Sequence, residues 1–414
     1  MRSEQITQNI RESVISRLRD LLGERLSTAE EILSAHACDV SHHVPQHPDA
    51  VVFPQNNEEV VEIVRVCAEG KMPIIPFGTG TAVEGGVVAV HGGVCVDTSR
   101  MNRILRVSVP DMDITVQAGV TRFQLNDYLS EQQTGLYFPV DPGADAALGG
   151  MTATCASGSA AVRYRTMREN VLGLTVVLAD GRLIRTGGRT RKTSAGYDLT
   201  RLFVGSEGTL GIFTEVTLRL TRLPEAVSSA VCPFGNIDSA VNAVIEVMSA
   251  GIPMARIELL DEIQMEAVNR YSHLDYQVTP TLFFEFHGST SSVVEQTESV
   301  REIVKRHGGG DFQWATEKKK RDRLWQARHD AYYASLALRD NGAGYVTDVC
   351  VPVSELAGCI RRTKKLLAST QIPAPLYGHV GDGNYHVVFV IDPDSPAELA
   401  EVQSFSRKII DDAL

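Results

Sequence analysis

The sequence predicts an α+β protein of more than one domain, and three observations carry that expectation. The chain has 414 residues, more than one typical hydrophobic core accommodates, so two or three domains are expected. Between residues 49 and 223, short strand-like apolar runs alternate with stretches of helical periodicity. At Leu223-Pro224-Glu225 the pattern breaks, and helix and strand signals start afresh beyond it. The composition, 43% hydrophobic and 22% charged, is that of an ordinary globular protein.

The elements follow in order. Ile10, Val14, Ile15, Leu18, Leu21 and Leu22 recur at helical spacing, which predicts a surface helix at the N-terminus. Its mixed charges, with Glu12 and Glu24 among them, do not fit a transit peptide, which is rich in Arg and nearly free of acids. Val51–Phe53 reads as a strand. Asn56 or Asn57 can cap a helix to about Glu69, with Val60, Val61, Val64 and Cys67 on its apolar side. Met72–Phe77 is the next strand, and Gly78 begins a glycine-rich turn. Strands are expected at Val94–Asp97, Ile104–Val107 and Ile114–Ala118, then a helix from Thr121 to about Gln132. Residues 139–170 hold many Gly, Ala, Ser and Thr without strong periodicity, the mark of a functional loop. Val171–Leu178 and Arg182–Thr186 form a hairpin around Ala179-Asp180-Gly181. Phe203–Leu220 reads as strand. In the second half, helices are expected near 237–250 and 291–307, and a strand at Thr281–Phe286. The residues show no internal repeat.

Several classes are disfavoured. A formal charge of −11 argues against a nucleic-acid partner, because phosphate binding needs a concentrated basic face. The basic run Lys318-Lys319-Lys320-Arg321 lies between Glu317 and Asp322 and reads as the solvated face of a helix. Seven cysteines without a CxxC pair argue against a disulfide framework and for a reducing compartment. No apolar run approaches the ~20 residues of a membrane span. Cytoplasm or mitochondrial matrix is the expected location.

Five segments carry chemistry. Pro76 to Gly86 (PFGTGTAVEGG) follows a strand, and its glycines allow consecutive amides to nest around an anionic pyrophosphate, with Thr79 and Thr81 as hydroxyl donors. It is neither the GxGxxG dinucleotide fingerprint nor a Walker A loop. Taken by itself it fits a plain glycine-rich turn equally well. Asp141 to Gly158 offers backbone donors and small side chains against which a flat ring system can lie. Phe203 to Ile212 (FVGSEGTLGI) surrounds one buried-looking acid, Glu207. His379 to His386 (HVGDGNYH) sets two histidines about a glycine-rich turn. Neutral imidazoles suit zinc or manganese if the segment bends back on itself, with Asp382 available to orient a ligand, although a histidine pair alone is weak evidence. Arg328 in LWQARH can clamp a carboxylate bidentately, or can pair on the surface with Asp330 or Glu317.

Together these segments resemble a known family. Residues 46–223 are similar to the FAD-binding domain of the vanillyl-alcohol-oxidase (PCMH) type, with GSEGTLGI the most specific signature. Residues 224–414, with LWQARHDAYYA, TDVCVPVS and GHVGDGNYH, resemble the C-terminal domain of the FAD-linked oxidases. Within that family the match is best to the D-lactate dehydrogenase (cytochrome) group, through PFGTGT, FPVDPGADA, NVLGLTVVLADGRL, ARIELLDE and HVGDGNYH. The resemblance implies an N-terminal helical segment (1–45), a two-part FAD-binding domain (46–223) and a ferredoxin-like substrate or cap domain (224–414). It implies that Pro76, Phe77, Gly78, Thr79, Gly80, Thr81, Gly85 and Gly86 hold the FAD pyrophosphate. Asp141, Pro142, Gly143, Gly149, Gly150, Thr154, Ser157 and Gly158 would line the flavin and its tail. Glu207, Gly208 and Ile212 would complete the adenosine end, and Tyr164 would pack near the isoalloxazine, with no covalent link.

The implied reaction is oxidation of a small D-2-hydroxy acid, D-lactate first, to the 2-oxo acid. Arg328 would fix the carboxylate, and a metal on His379 and His386 would bind the hydroxyl. Electrons would pass to cytochrome c or a quinone-linked carrier, and a homodimer is compatible with the reading. Members acting on dicarboxylates tend to carry a Lys just before the acid that matches Asp348. Here Gly344-Tyr345-Val346-Thr347 is uncharged, which favours a monocarboxylate over 2-hydroxyglutarate and leaves glycolate as an alternative. Members also continue past the point matching Leu414, usually with a Glu-His-Gly segment carrying a third ligand and a proposed base, and they end near an Asn-Pro-Gly-Lys that returns to the flavin. The resemblance therefore implies an incomplete C-terminus, two protein ligands in place of three, and the alternative of a non-catalytic flavoprotein fragment.

Overall fold

Short β-branched runs and one capped helix build the start of the chain. The computed structural model describes residues 2–190 and 192–414, with side chains from residue 8 onward. Strands β1 (Leu26–Ser27), β2 (Ala50–Val52), β3 (Ile74–Phe77) and β4 (Val94–Asp97) form a sheet in the order β1-β2-β4-β3, with β2 and β3 parallel to β4. The helix Asn57–Glu69 connects β2 to β3, and the Asn56 side chain caps it by accepting the Glu59 amide at 2.9 Å. Its Val60, Ile63, Val64 and Cys67 pack on Val14, Leu18 and Leu22 of the helix Arg2–Leu22. That N-terminal helix is thus part of a core, while Ile10 and Leu21 of its expected apolar side are exposed.

Strands β5 (Ile104–Ser108), β6 (Asp113–Gln117), β7 (Leu136–Tyr137), β8 (Val171–Val177), β9 (Leu183–Gly187), β10 (Ile212–Arg219) and β11 (Thr221–Arg222) follow. Five of them make an antiparallel sheet in the order β5-β6-β10-β8-β9, and β7 pairs with β11. The hairpin expected at 171–186 is β8–β9. Two expectations need correction. Phe203–Leu220 is not one strand: Leu199–Phe203 is helical, and extended pairing starts only at Ile212. Positive φ at Gly205 (84°), Glu207 (50°) and Gly208 (77°) breaks the strand between them. Residues 139–170 are not simple loop but hold three short helices, Leu148–Ala153, Ala161–Tyr164 and Met167–Asn170, with Leu148 and Met151 buried.

The chain divides into two units. The first runs to Ser157 and resumes over Arg165–Leu223; the second comprises Gly158–Tyr164 and Pro224–Leu414. The second unit is one seven-stranded antiparallel sheet built twice over the same plan. Strand β12 (Ala226–Pro233), helix Ile237–Ser249, β13 (Met254–Leu260), β14 (Thr281–Gly288), helix Thr290–Arg306 and β15 (Gln313–Ala315) have the order β15-β12-β14-β13, the ferredoxin-like arrangement. Strand β16 (Ala343–Cys350), helix Leu356–Leu367, β17 (Leu376–Gly378), β18 (Asn384–Ile391) and helix Pro396–Ala413 repeat it, continuing the sheet as β17-β18-β16. The repeat lies in topology rather than in residues, so the sequence did not show it. One face, with Phe284, Phe286, Tyr385 and Phe389, is covered by the helices named so far in this unit. The other, with Phe283 and Val388, is covered by helices Glu262–Ser272, Lys318–His329 and Ala331–Leu336. Lys318 pairs with Asp322 (2.6 Å) and Lys320 with Glu317 (3.2 Å), so the basic run is a solvated face. All seven cysteines are free thiols.

An ion pair ties strand β1's approach to the capped helix. Arg25 meets Glu59 bidentately at 2.5 and 2.8 Å, with both side chains about four-fifths buried. The Arg25 hydrogen bond outweighs burial and holds the Glu59 carboxyl below its ordinary range. A depressed folded-state pKa stabilises the fold above the unfolded value of about 4.3, and that stabilisation is lost as pH falls below it. Glu59→Gln is therefore expected to cost about 1–3 kcal/mol at neutral pH and progressively less as the medium is acidified. Thermal unfolding midpoints of both proteins across that range check it; a gap that stays constant would mean the pair does not act through its charge.

Candidate active site

Three glycine-rich segments that are far apart in sequence converge in the first unit. A Cβ at Gly78 would lie 3.2 Å from that of Ala147 and 3.8 Å from the Gly150 Cα. One at Gly208 would press on the Pro76 ring at 3.0 Å, one at Gly205 would lie 3.3 Å from Cys155, and one at Gly86 would reach the Glu207 carboxylate at 4.0 Å. The Glu207 amide donates to the Ala153 carbonyl and the Gly205 amide to Thr152, both at 3.0 Å. Segments 76–86, 147–155 and 205–208 thus form one cradle of backbone and small side chains. Glu207 is exposed, not buried as its setting suggested, and it joins Cys155 (φ 51°) in the left-handed region, a conformation costly for residues other than glycine.

A fourth segment, not expected from the sequence, completes the cradle's rim. Asp39 accepts the Gly85 amide at 2.8 Å, and Val40 donates to the Ala82 carbonyl at 2.9 Å. Thr79 and Thr81 hydroxyls lie 3.1 Å apart. Thr81, Gly80, Asp141, Pro142 and Gly150 are half-buried, whereas Thr79, Gly143, Thr154 and Ser157 are exposed. Gly149 is buried under Ala118, where a Cβ would collide at 2.6 Å, and Phe77 is buried beside His36, their rings 4.5 Å apart. Ile212 turns its side chain into the core with Val94, Val96 and Val177. Gly158 and Tyr164 lie in the second unit.

The second unit holds a buried polar row on the sheet face beneath the helix Lys318–His329. Its centre is Glu258 of β13, which is fully buried. One carboxylate oxygen accepts the Arg328 Nε at 2.6 Å, and the other faces the His379 Nδ1 at 2.6 Å. Burial alone would raise its pKa, but the charges of His379 and Arg328 outweigh that and hold it at about 2. The arginine pairs with an acid 70 residues away, a partner its local sequence does not offer. The Tyr377 ring lies 5.1 Å beneath the guanidinium.

The segment from His379 does bend back. Residues 380–382 form a single 3-10 turn and Gly383 has φ 77°. A Cβ at Gly383 would lie 2.0 Å from the Val351 carbonyl, so no larger residue fits. The His379 and His386 rings stand 5.4 Å apart and nearly perpendicular. Asp348 faces the His386 Nδ1 at 3.1 Å, and Asn384 donates to the same carboxylate at 2.6 Å. Burial, reinforced by the His379 and Arg328 charges, lowers the His386 pKa despite Asp348. Each ring thus turns Nδ1 to a carboxylate, which leaves Nε2 as the donor atom of the neutral form. That is how metal-binding imidazoles are oriented. The donor chemistry suits a divalent ion, but among the described residues no three His, Cys, Asp or Glu side chains form a group that could hold one.

Sequence reasoning found Arg328, His379 and His386 but not Glu258 or Asp348, the acids at the two rings. The available signal was a lone acid inside an apolar strand, Glu258 in the buried MARIELL and the exposed Asp348 in VTDVCV. Asp382, expected to orient a ligand, donates its amide to the His379 carbonyl at 2.9 Å.

Two family models match the chain. Residues 48–187 match the family described as "FAD binding domain", and residues 223–414 match "FAD linked oxidases, C-terminal domain". A protein of Danio rerio named "Probable D-lactate dehydrogenase, mitochondrial" is 52% identical over 97% of this chain and 82% of its own length. The Arabidopsis thaliana "D-lactate dehydrogenase [cytochrome], mitochondrial" is 42% identical over 98% and 72%. The solved structure of p-cresol methylhydroxylase with substrate bound superposes with a TM-score of 0.79 at 19% identity, covering 98% of this chain and 87% of that one, which shows the shared fold. Among the described residues no helix is long and apolar enough to cross a membrane. The chain belongs to the FAD-linked oxidases, as a flavoprotein oxidoreductase whose cofactor is FAD.

Proposed function

We propose that the protein oxidises D-lactate, or a D-2-hydroxy acid of similar size, to the 2-oxo acid. The observation that carries the reading is the buried Glu258, which holds a carboxylate-binding group, Arg328, and a hydroxyl-directed group, His379, each at 2.6 Å. A 2-hydroxy acid presents those two functions on adjacent carbons. The names of the relatives favour D-lactate within that class.

In this reading the glycine cradle of the first unit binds FAD, with the amides of residues 78–86 at the pyrophosphate and residues 141–158 at the flavin. Glu207 and Gly208 serve the adenosine end. FAD, when bound, supplies a two-electron acceptor for the α-hydrogen. Arg328 fixes the substrate carboxylate with its terminal nitrogens while Glu258 holds Nε, so the guanidinium plane is set before substrate arrives. His379 and His386 address the hydroxyl. A zinc or manganese ion, if held by their Nε2 atoms, would supply Lewis acidity to that oxygen. The uncharged run Gly344–Thr347 offers no partner for a second carboxylate. Electrons leave for cytochrome c or a quinone-linked carrier, in the mitochondrial matrix or the cytoplasm.

Spectroscopy of the FAD-loaded protein tests the reading. D-lactate added without oxygen is expected to bleach the visible flavin bands. Arg328→Lys should raise the half-saturating D-lactate concentration about 10- to 100-fold, the equivalent of the roughly 1.5–3 kcal/mol of one charge-assisted hydrogen bond. Flavin bands indifferent to every D-2-hydroxy acid would overturn the function, and an unchanged concentration dependence would remove Arg328 from the clamp.

The histidine pair gives a separate expectation. Exhaustive chelation should abolish bleaching while FAD stays bound, and manganese or zinc should restore it. Full bleaching by protein that metal analysis shows to be empty would reduce the pair to direct contacts with the substrate.

A further inference from the structure

Loop 78–86 of the first unit, where the FAD pyrophosphate is proposed to lie, is held by the chain that follows the helix Glu30–Ala35. Phe77, just before the loop, and Val87, just after it, pack in one small core with Ile32 and Leu33 of that helix and with Phe53. The Ala37 carbonyl accepts the Gln46 amide at 3.0 Å, which closes residues 37–46 into a strap. The strap meets the loop through Asp39 on the Gly85 amide and through the Val40 amide on the Ala82 carbonyl. The His43 ring lies against the loop as well, because a Cβ at Gly85 would fall 2.3 Å from it.

One residue anchors the start of this strap. His36 ends the helix and is buried, with its ring 4.5 Å from that of Phe77. Its Nδ1 lies 2.7 Å from the Ile32 carbonyl oxygen, and its Nε2 lies 2.9 Å from the Asp97 carboxylate. A carbonyl only accepts, so the first contact needs a proton on Nδ1. The second then needs another proton between Nε2 and the carboxylate. An imidazolium supplies both. Either neutral tautomer supplies one, and turns a lone pair on an oxygen where water does not reach.

The surroundings favour the charged form. The charge that His36 meets is that of Asp97 on β4, a buried side chain whose other oxygen accepts the Ser99 amide at 2.6 Å. Cys95 of the same strand keeps its proton, because burial pushes its thiol pKa up. Strand β3 brings the Phe77 ring. The end of β2 brings Phe53, with the Arg100 guanidinium 5.4 Å from that ring. Glu30 and Glu31 of the helix are exposed, and Asp39 of the strap is engaged with the Gly85 and Ser41 amides. Burial alone would lower the His36 pKa, but the hydrogen bonds to Asp97 and to the Ile32 carbonyl outweigh it and raise it. A raised folded-state value makes the stabilisation complete below the unfolded value of about 6.5, and it is lost as pH rises through the folded value.

We propose that His36 is a positioning residue for FAD: its doubly hydrogen-bonded imidazolium holds strap 37–46 against loop 78–86, and loss of its proton frees the strap and loosens the cofactor. The inference rests on the placement of the pyrophosphate at residues 78–86 proposed above. FAD binds the strapped form of the loop, so its apparent affinity falls with the fraction of protein in that form. Such coupling is reciprocal. If the His36 proton favours FAD, bound FAD raises the His36 pKa by the same factor.

Release of FAD from the diluted holoprotein, followed by the fluorescence of free flavin across about two pH units on either side of the ordinary histidine value, tests the proposal. The wild-type rate is expected to rise about 10-fold as pH passes the His36 midpoint, the loss of one buried hydrogen bond. His36→Gln keeps a donor for Asp97 but cannot titrate, so it should release FAD at the fast rate throughout. Asp97→Asn should move the rise to lower pH. Histidine NMR should give His36 a higher midpoint with FAD bound than without. A wild-type rate indifferent to pH, a rise that survives in His36→Gln, or a His36 midpoint that FAD leaves unchanged overturns the role. The midpoint comparison uses wild type alone, so it decides if the variants do not fold. Amide exchange tests the placement separately. FAD that fails to slow exchange at residues 78–86 overturns the pyrophosphate placement and this inference together, whereas slowed exchange with pH-independent release overturns the role of His36 alone.

Discussion

A carboxylate with no exposed surface is costly unless charged donors replace its lost water. Glu258 has none exposed, and its two oxygens are met by Arg328 and His379. Removing either donor would leave an uncompensated buried charge, which typically costs about 3–5 kcal/mol. That requirement reaches far from β13. It sets how the helix Lys318–His329 lies on the sheet, because Arg328 is in its last turn. It sets the return of the chain after β17, because His379 must arrive at the second oxygen before Gly383 reverses direction. Trp325 and Tyr377 then fill the space around the Arg256 and Arg328 guanidinium groups. The geometry proposed to bind substrate is in this sense the geometry that makes a buried glutamate tolerable.

The first unit solves a different problem by different means. A dinucleotide with a flat ring and a pyrophosphate needs many donors at close range, and side chains would stand in its way. The cradle is therefore made of backbone, brought together by missing side chains: Gly78 against Ala147 and Gly150, Gly208 against Pro76, Gly205 against Cys155. Glu207 and Cys155 hold left-handed conformations at the same place. Strain of that kind persists only where the surroundings impose it, and it gathers at ligand sites.

What the sequence revealed depended on the range of the interaction. Asn56 acts within three residues of itself, and a cap at Asn56 or Asn57 was legible, as were the helix start at Thr121 and the hairpin β8–β9. Strands β12, β13 and β18 were not, because helices cover both faces of their sheet and erase the alternation that marks a half-exposed strand. Arg328, His379 and His386 stood out as reactive types in unusual settings, but Glu258 lies 70 and 121 residues from the partners that give it meaning. Glu207 was misjudged for a related reason. Its apolar neighbours suggested burial, whereas three glycines around it turn the backbone outward as an exposed loop.

The polar row of the second unit has two halves, each built around one buried carboxylate. On one side, Glu258 fixes Arg328 and His379, the groups proposed above to meet the substrate carboxylate and hydroxyl oxygen. On the other, Glu285 meets Arg256 and His287, and His287 Nδ1 lies 2.7 Å from the Tyr164 hydroxyl. Arg256 and Glu258 sit on alternate positions of one strand, and Trp325 and Arg328 lie one turn apart on one helix, so a single strand–helix pair keeps both halves in register.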